Sequence, residues 1–272
     1  MTAAIARICL PLFVPGDRPE RFAKAAAAGA DAVCIDLEDA VSPAAKAGAR
    51  ARLAQEIAAA AAGGPVLLRV NAADTPWHGE DLAAAAALPL AAIMLPKAES
   101  AAQVRAAAAG GHPVVALIES ARGLDRAAEI AQAAARLAFG SIDYAADLGI
   151  GHTRFALAQA RGALVLASRL AGLPPPIDGV TTAIRDAALI EDDARHAVEM
   201  GFGGKLLIHP GQIAPARAGF APSDEETGWA RRVLDAAGDG AAVAVDGAMV
   251  DAPVIARAQA LLARVQDPGA SA

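Results

Sequence analysis

The chain has 272 residues, of which 55% are hydrophobic and 3% aromatic, and its formal net charge is −6. This composition argues against a general nucleic-acid surface, which needs clustered Lys and Arg, and no uninterrupted apolar run reaches the roughly 18 residues of a membrane span. Residues 1–7 lead directly into the first apolar run, without the pattern of a signal peptide. We therefore expect a cytoplasmic protein whose partners are neither nucleic acids nor membranes.

Short apolar runs recur along the chain, with helical stretches between them. A run of this length, bounded by polar and glycine residues, is typical of a strand buried in a parallel sheet. The eight runs are Ile8–Val14, Ala32–Leu37, Val66–Val70, Ala92–Leu95, Val114–Ile118, Arg136–Phe139, a weaker one near Ile177, and Lys205–Ile208.

The segments between these runs are rich in alanine, the strongest helix former. They are Pro19–Gly29, Pro43–Ala62, Gly79–Ala87, Ser100–Ala109, Gly123–Ala135, Thr153–Leu170 and Asp186–Met200. Alternating strands and helices of this number predict an α/β fold, a (β/α)8 TIM barrel. An open, doubly wound sheet is the competitor, but it needs a glycine-rich turn after its first strand. That position holds Pro15, Gly16 and Pro19.

The sequence changes character after the eighth run. Ser223 and Glu226 form a capping-box signature at the start of a helix, and a closing helix is predicted at Val254–Val265. Because this part has few apolar residues for a core of its own, we expect a short C-terminal helical lid or arm. The predicted organisation is a barrel domain at residues 1–214 and an arm at 215–272 that is not an independent domain.

Two carboxylates stand just past the fifth and sixth apolar runs. They are Glu119 and Asp143. Catalytic groups of such barrels lie where the strands end, and hard cations prefer carboxylate oxygens. The pair therefore predicts a site for one cation, with coordination positions left for a substrate. The alternative is that both carboxylates form ion pairs with Arg69 or Arg122.

Other charged residues also follow the predicted strands. The planar guanidinium of Arg69 suits a substrate carboxylate held by two hydrogen bonds. Of the three acids Asp36, Glu38 and Asp39, we expect at least one to orient Arg69 or Lys97 and another to cap the next helix. His209 is interpreted as a residue that fixes its own loop.

The cysteines and the other histidines show no metal-ligand spacing. Cys9 and Cys34 are predicted to be reduced core residues. The sequence contains neither HExxH nor CxxC, so nothing indicates a zinc site. Four further histidines are expected to be solvated, namely His78, His112, His152 and His196.

Seven short strings follow one another along the chain. They read LFVPGDRPER from Leu12, DLEDAV from Asp36, RVN from Arg69, LPKAES from Leu95, IESARG from Ile118, FGSID from Phe139 and IHPGQI from Ile208. Together they resemble the citrate lyase β-subunit-like family of the HpcH/HpaI aldolase superfamily, which includes malyl-CoA and citramalyl-CoA lyases. The resemblance implies a TIM barrel, a Mg²⁺ cofactor (or Mn²⁺), coenzyme A as part of the substrate, and a homotrimer or hexamer.

The same resemblance implies a role for several residues at the barrel mouth. Glu119 and Asp143 match the family's metal ligands, and Arg69 matches its substrate-carboxylate arginine. Asp36 and Glu119 are also expected at the substrate. The residues that fall where the family binds CoA are Arg18, Lys24, Ile208, His209 and Pro210.

The C-terminal arm supplies the last of these residues. Asp251 matches the catalytic acid/base, in a segment (246–253) that closes over the site and in some members comes from the adjacent subunit. One departure is Thr181-Thr182, where many relatives carry a tyrosine and an acidic residue. This departure bears on substrate detail in that loop and leaves the metal site unaffected.

The expected function is a Mg²⁺-dependent carbon–carbon lyase. It would cleave or form a 3-hydroxyacyl-CoA thioester such as malyl-CoA, citramalyl-CoA or a citryl thioester, with acetyl-CoA or acetate and a 2-oxo acid as the other partners. Arg69 and Asp251 would be the catalytic residues. Two alternatives stay open: a CoA-independent, pyruvate-type class II aldolase, and a β subunit that needs an acyl-carrier partner. The sequence does not choose between lyase, thioesterase and synthase.

Overall fold

Eight parallel strands form one sheet, in the order β1 to β8. The computed structural model describes residues 2–237, 243–245 and 247–266. Each apolar run contributes one strand, so the predicted (β/α)8 barrel is confirmed. The strands are β1 (Pro11–Pro15), β2 (Ala32–Asp36), β3 (Val66–Arg69), β4 (Ala92–Leu95), β5 (Val114–Ile118), β6 (Arg136–Phe139), β7 (Ile177–Asp178) and β8 (Gly204–Lys205).

The barrel closes between β8 and β1. A parallel bridge joins Leu12 to Leu207. Backbone hydrogen bonds run from Phe13 N to Leu207 O (2.8 Å) and from Leu207 N to Pro11 O (2.9 Å). The two strands that precede this seam, β7 and β8, are the shortest of the wall, with two residues each.

Helices cover the outside of the barrel and form the C-terminal arm. They are α1 (Thr2–Ala6), α2 (Phe22–Ala26), α3 (Lys46–Ala61), α4 (His78–Ala85), α5 (Ala101–Ala108), α6 (Ala121–Asp125), α7 (Ala127–Ala131), α8 (Ser141–Leu148), α9 (Arg154–Leu170), α10 (Ala187–Glu199), α11 (Ile213–Phe220), α12 (Asp224–Ala237) and α13 (Ala252–Gln266). Helix α9 buries Leu157, Ala160 and Leu164, the spacing of one helical face. In the described residues, no helix has the length and apolar character needed to cross a membrane.

Three helices are additional to the predicted ones. They are α1, α8 and α11, and the predicted helix at 123–135 is divided between α6 and α7. Helix α11 packs against α10 and completes the outer layer. The predicted boundary at residue 214 therefore falls inside a helix of the barrel, and the division at 214/215 stays a prediction.

The N-terminal ends of the strands form the lower end of the barrel, and this end is closed. The first strand begins at Pro11 and not at the predicted Ile8, residues 2–6 form the unpredicted α1, and Ile5 and Ile8 join the apolar cluster inside the barrel. The buried Arg136 of β6 donates hydrogen bonds to Ile5 O (2.9 Å), Ile8 O (2.5 Å) and Pro175 O (2.7 Å). Arg136 thus ties the start of the chain across the bottom of the barrel.

The C-terminal arm begins with the predicted capping box. Ser223 N donates to Glu226 Oε2 (2.8 Å), and Glu226 N donates to Ser223 Oγ (3.1 Å). Strands β9 (Val243–Val245) and β10 (Ala248–Val250) form an antiparallel hairpin between α12 and α13. Ala230, Val233 and Leu261 belong to a small buried cluster within the arm. The arm thus has a small apolar cluster, and the expectation that it is not an independent domain stays a prediction.

The cysteines are as predicted, and most of the histidines are not. Cys9 and Cys34 are free and buried. His78, His112 and His196 are half-buried, and only His152 of the four is exposed. His78 Nδ1 lies 2.7 Å from Asn71 O, and His112 Nε2 lies 3.0 Å from Ala85 O. The prediction that these histidines are solvated is therefore wrong for His78 and His112, whose rings lie against backbone carbonyl groups.

Candidate active site

A cavity of about 380 Å³ opens at the C-terminal ends of the strands. It brings together five of the predicted site residues, namely Asp36, Arg69, Glu119, Asp143 and Ile208. Apolar side chains complete it, among them Phe13, Leu117, Phe139, Val180, Leu206 and Ile208. A cavity with convergent charged groups on an apolar wall is the usual form of a small-molecule site.

Glu119 is held in place by the loop that follows β4. It is 3% exposed, and its Oε1 accepts a hydrogen bond of 2.7 Å from the backbone N–H of Lys97. Lys97 has a φ of 46°, the left-handed region that non-glycine residues rarely adopt. Strain of this kind persists where the surrounding structure requires it. Here it directs the Lys97 amide towards Glu119.

Glu119 and Asp143 form a pair of carboxylates without a cation partner. Burial, together with the negative charges of Glu38 and Asp143, raises the pKa of Glu119 to about 8. Asp143 stands exposed in the first turn of α8. Within the described part of the chain, no ion pair joins either carboxylate to Lys, Arg or His. A cation held between them would remove their repulsion.

The alternative interpretation of these two acids is wrong. Arg69 pairs with Asp36 and Glu38, and Arg122 pairs with Glu99 at 3.2 Å. Over residues 2–237, 243–245 and 247–266, no group of three or more His, Cys, Asp or Glu is placed to hold a metal. Two protein carboxylates with the other positions open fit Mg²⁺, which keeps several waters or substrate oxygens in its shell.

Arg69 is oriented by acids of the β2 end, as the sequence predicts. Its Nε and Nη2 donate to Asp36 Oδ1 and Oδ2, each at 2.7 Å, and its Nη1 lies 3.0 Å from Glu38 Oε2. Its guanidinium also stacks 4.7 Å from the centre of the Phe13 ring. Asp36 takes two of the five guanidinium N–H groups, so three remain, one of them on the side of Glu38.

The acids of this end hold Arg69 and Lys97 as predicted, but none of them caps the next helix. Asp36 also accepts hydrogen bonds from Glu38 N (2.8 Å) and Ala40 N (3.1 Å). These bonds hold its carboxylate in the position from which it fixes Arg69. Contact between Asp36 and a substrate stays a prediction. Lys97 Nζ donates to Glu38 Oε1 at 2.9 Å. No side chain caps α3, so the expectation that one of these acids caps the next helix is wrong.

The five residues expected at CoA lie on one sector of the mouth. Arg18 follows β1, Lys24 lies on α2, and Ile208 to Pro210 follow β8, which neighbours β1. All five are exposed, and Ile208 lines the cavity. His209 Nδ1 accepts from Gly211 N at 3.0 Å within a capping box, which confirms that it fixes its loop. Their contact with CoA stays a prediction.

Asp251 does not meet the other site residues within one chain. It is exposed, and its Oδ1 accepts from Val254 N at 3.3 Å, at the start of α13. Further along α13, Arg264 donates to Phe220 O at 2.6 Å. Helix α13 also borders a groove beside Cys9, Pro175 and Gly203, at the lower end of the barrel. Asp246 lies outside the described residues.

Several site residues were not identified from the sequence. Gly140 lies against Glu119. Ser141, which is buried, and Val180, which is half-buried, line the cavity. The glycine between β6 and Asp143 was a visible signal for close packing at that point. Nothing in the sequence marks Val180 as a site residue, because an apolar residue after a strand is equally typical of the core.

Comparison with known proteins identifies related sequences over nearly the whole chain. A model of the HpcH/HpaI aldolase/citrate lyase family matches residues 10–210. A citrate lyase subunit beta-like protein of Mycobacterium tuberculosis is 41% identical over 268 residues, 93% of this chain and 94% of the relative. A (3S)-malyl-CoA thioesterase of Cereibacter sphaeroides is 38% identical over 269 residues, 94% of this chain and 93% of the relative.

Solved structures show the same fold. The crystal structure of CitE from M. tuberculosis with magnesium, acetoacetate and coenzyme A has a TM-score of 0.85 at 40% identity, over 95% of this chain and 98% of that one. The citrate lyase beta subunit of M. tuberculosis with oxaloacetate and magnesium has a TM-score of 0.71 at 38% identity, over 80% and 99%. The similarity thus includes proteins that bind magnesium, oxo acids and coenzyme A.

Proposed function

The chain belongs to the HpcH/HpaI aldolase/citrate lyase family, and from this premise we propose that it is a Mg²⁺-dependent carbon–carbon lyase. Its substrate would be a 3-hydroxyacyl-CoA thioester such as malyl-CoA, citramalyl-CoA or a citryl thioester. The products would be acetyl-CoA (or acetate) and a 2-oxo acid. The observation that carries the proposal is one cavity lined by a carboxylate pair, Glu119 and Asp143, and by an oriented arginine, Arg69.

Glu119 and Asp143 would hold the metal ion. The buried Glu119 gains a charge partner from a cation, and the two acids leave most coordination positions to the substrate. Bound there, Mg²⁺ (or Mn²⁺) supplies Lewis-acid polarisation of a substrate oxygen. Magnesium is present with acetoacetate and coenzyme A in the related CitE structure and with oxaloacetate in the related beta subunit.

Arg69 would bind the substrate carboxylate and stabilise its orientation. Its bidentate bonds to Asp36 fix the plane of the guanidinium before any ligand arrives. A preorganised donor loses little freedom when the substrate binds, so more of its interaction energy is available in the transition state. The apolar wall around Leu117 and Phe139 would exclude water from the reacting bond.

Asp251 would serve as the acid/base that moves a proton to or from the acetyl-CoA carbon. Its position at the start of α13, a helix that borders the lower end of its own barrel, supports a role at a neighbouring subunit's site. A homotrimer or hexamer is therefore part of the proposal. Arg18, Lys24 and residues 208–210 would contact the CoA portion at the mouth.

A thioesterase acting on the same substrates is the second candidate, because the 38% identical relative of C. sphaeroides is a (3S)-malyl-CoA thioesterase. The two activities differ in the bond that breaks. A lyase gives acetyl-CoA and an oxo acid, whereas a thioesterase gives free CoA and a hydroxy acid. A cytoplasmic setting also belongs to the proposal, supported by two free, buried thiols.

The test is a product assay with a panel of CoA thioesters. We expect purified protein with Mg²⁺ to convert malyl-CoA or citramalyl-CoA to acetyl-CoA and the oxo acid, separated by liquid chromatography. EDTA and Glu119→Gln should abolish turnover, whereas Glu225→Gln, at an exposed position of α12, should leave it unchanged. Turnover of pyruvate and an aldehyde without CoA would instead indicate an aldolase. Activity only with added acyl-carrier subunits would indicate a complex subunit.

A further inference from the structure

A second cavity, of about 250 Å³, lies outside the barrel wall between β7, β8, α9 and α10. Lys205 and Arg161 are buried and form its floor, and the exposed His152 and Thr182 lie at its rim. Val180 borders both this cavity and the substrate cavity. The second cavity is therefore open to solvent at the rim and separated from the substrate by one layer of side chains.

Two buried cations form the floor of this cavity and contact one buried carboxylate. Arg161 bonds Asp178 through Nε (3.0 Å) and Nη2 (3.2 Å), and Lys205 Nζ lies 3.6 Å from the same carboxylate. The side chains of Arg161, Lys205 and Asp178 are 8%, 2% and 1% exposed. Buried charges are normally paired. The two buried cations share one fully buried carboxylate, and their second counter-charge comes from Asp193 at the rim.

The nearby acid at the rim is already engaged. Asp193 accepts hydrogen bonds from Thr181 Oγ1 (2.8 Å) and from Arg154 (2.9 Å). Its side chain is 28% exposed, and its charge also acts on Lys205. Arg154, which also lines the cavity, pairs with Asp192 (2.5 Å) as well as with Asp193, so the cations and carboxylates around the cavity balance.

Hydrogen-bond donors remain available at the floor and the rim. Arg161 Nη1 is buried and has no hydrogen-bond partner among the described residues. Lys205 donates one of its three N–H groups to Gly179 O at 2.7 Å. Thr182 adds a hydroxyl at the rim. Unused N–H donors on two buried cationic side chains, facing a cavity that is open to solvent, are the chemistry that binds an oxyanion.

We propose that this cavity is a binding site for a small oxyanion, either inorganic phosphate or a short carboxylate, held by Arg161 and Lys205. The site is separate from the substrate cavity and uses none of its charged residues, so it stands independently of the proposed lyase activity. A hydrogen-bonding contact of 3.0 Å between His152 and Ser141 links the rim of one cavity to the wall of the other.

The binding test removes the substrate cavity as a competing anion site. The protein would carry Arg69→Met and be kept in EDTA, and inorganic phosphate and malonate would be titrated separately by isothermal calorimetry. We expect one saturable site per chain for at least one of the two anions. The anion that binds identifies the source, phosphate or carboxylate. Absence of saturable binding by both anions up to tens of millimolar would overturn the proposal.

Two variants at the exposed Thr182 locate the site without disturbing the core. In the same background, Thr182→Asp adds a negative charge at the rim, and we expect it to weaken anion binding roughly tenfold or more. Thr182→Asn, of nearly the same size, should stay within about twofold of its parent. Equal affinity in both variants would place the anion elsewhere and refute the assignment.

A second pair of variants tests the floor. Lys205→Met should abolish binding, whereas Arg169→Gln, at an exposed position on the same helix as Arg161, should leave binding unchanged. Circular dichroism confirms that each variant is folded. If Lys205→Met does not fold, the Thr182 pair still decides the question.

Discussion

A Cβ atom at position 140 would overlap Glu119 Oε2 and stand 2.5 Å from Glu119 Cβ. Gly140 therefore provides the space in which the Glu119 carboxylate lies. Its φ is −87°, which any residue adopts, so space and not backbone freedom is the requirement. The glycine that follows β6 thus determines the position of a carboxylate that follows β5.

We expect Gly140→Ala to displace Glu119 and to weaken divalent-metal binding. Overpacking of this kind costs about 1–3 kcal/mol of stability, and a displaced ligand should lower Mn²⁺ affinity roughly tenfold or more. Electron paramagnetic resonance of free Mn²⁺ and urea unfolding measure the two effects. The control is Gly162→Ala, where a Cβ meets nothing within 4 Å in α9; it should keep the affinity. Unchanged Mn²⁺ binding in Gly140→Ala would contradict the explanation.

Asp36→Asn should impair substrate binding while leaving the metal site intact. A hydrogen bond to a charged group contributes about 1.5–3 kcal/mol, so loss of the charge that fixes Arg69 should raise KM for the thioester roughly tenfold to a hundredfold. Mn²⁺ affinity should stay within about twofold. Asp39→Asn is the control, because this exposed acid lies 3.8 Å from Arg69 Nη1 and exposed pairs contribute little. Equal KM changes in both variants would argue against the role of Asp36.

Metal binding should depend on pH through Glu119. Burial, with the charges of Glu38 and Asp143, raises the pKa of Glu119 to about 8, and a metal ion binds only the ionised form. Apparent Mn²⁺ affinity should therefore fall about tenfold for each pH unit below 8. Titrations at several values between pH 6 and 9 measure the slope. Glu119→Gln should bind weakly at every pH, and a flat profile for the unmodified protein would exclude this titration.

In the metal-free protein, the raised pKa of Glu119 makes the folded state less stable as the pH rises. Because the pKa of Glu119 in the folded state lies above its ordinary value of 4.5, the group contributes stability at low pH. That contribution is lost as the pH rises from about 4.5 through about 8. Unfolding in EDTA should therefore show a stability loss over this range that Glu119→Gln lacks, and Mg²⁺ should restore stability above pH 8.

Complementation between subunits tests the position of Asp251. Asp251→Asn and Glu119→Gln should each reduce turnover by about 10²–10⁴. If each site combines Glu119 of one chain with Asp251 of the next, random mixing of the two variants should restore about a quarter of the sites. Co-expression of the two variants and assay of the whole oligomer population measure this fraction, and two affinity tags verify that mixed oligomers have formed. No recovery in a verified mixed oligomer would show that Asp251 does not act across subunits.

The features that depend on local sequence pattern could be predicted from the sequence. A run such as Val114–Ile118 is buried on both faces of a parallel strand, and such burial leaves a continuous apolar signature. The residue after it, Glu119, then had to lie at the barrel mouth. The pairing of Arg69 with an acid after β2 also followed, because both stand at the ends of neighbouring strands.

Features that depend on packing between distant segments could not be predicted from the local sequence pattern. Helix α8 is short, and its amphipathic pattern is only about two turns long, so it carries little signal. The placement of Asp251 depends on how the arm packs on another part of the chain. Lys205 was read as part of an apolar run, because nothing local indicates that its ammonium group meets Asp178 behind the sheet.

Arg136 and α1 close the lower end of the barrel, so the substrate cavity has one entrance. In the proposed cleavage the oxo acid forms deep in this cavity, beside Glu119 and Arg69, and acetyl-CoA forms nearer the mouth. Acetyl-CoA must then depart first, and the oxo acid leaves last from an otherwise empty protein. Steady-state inhibition should accordingly be competitive against the thioester for the oxo acid and noncompetitive for acetyl-CoA.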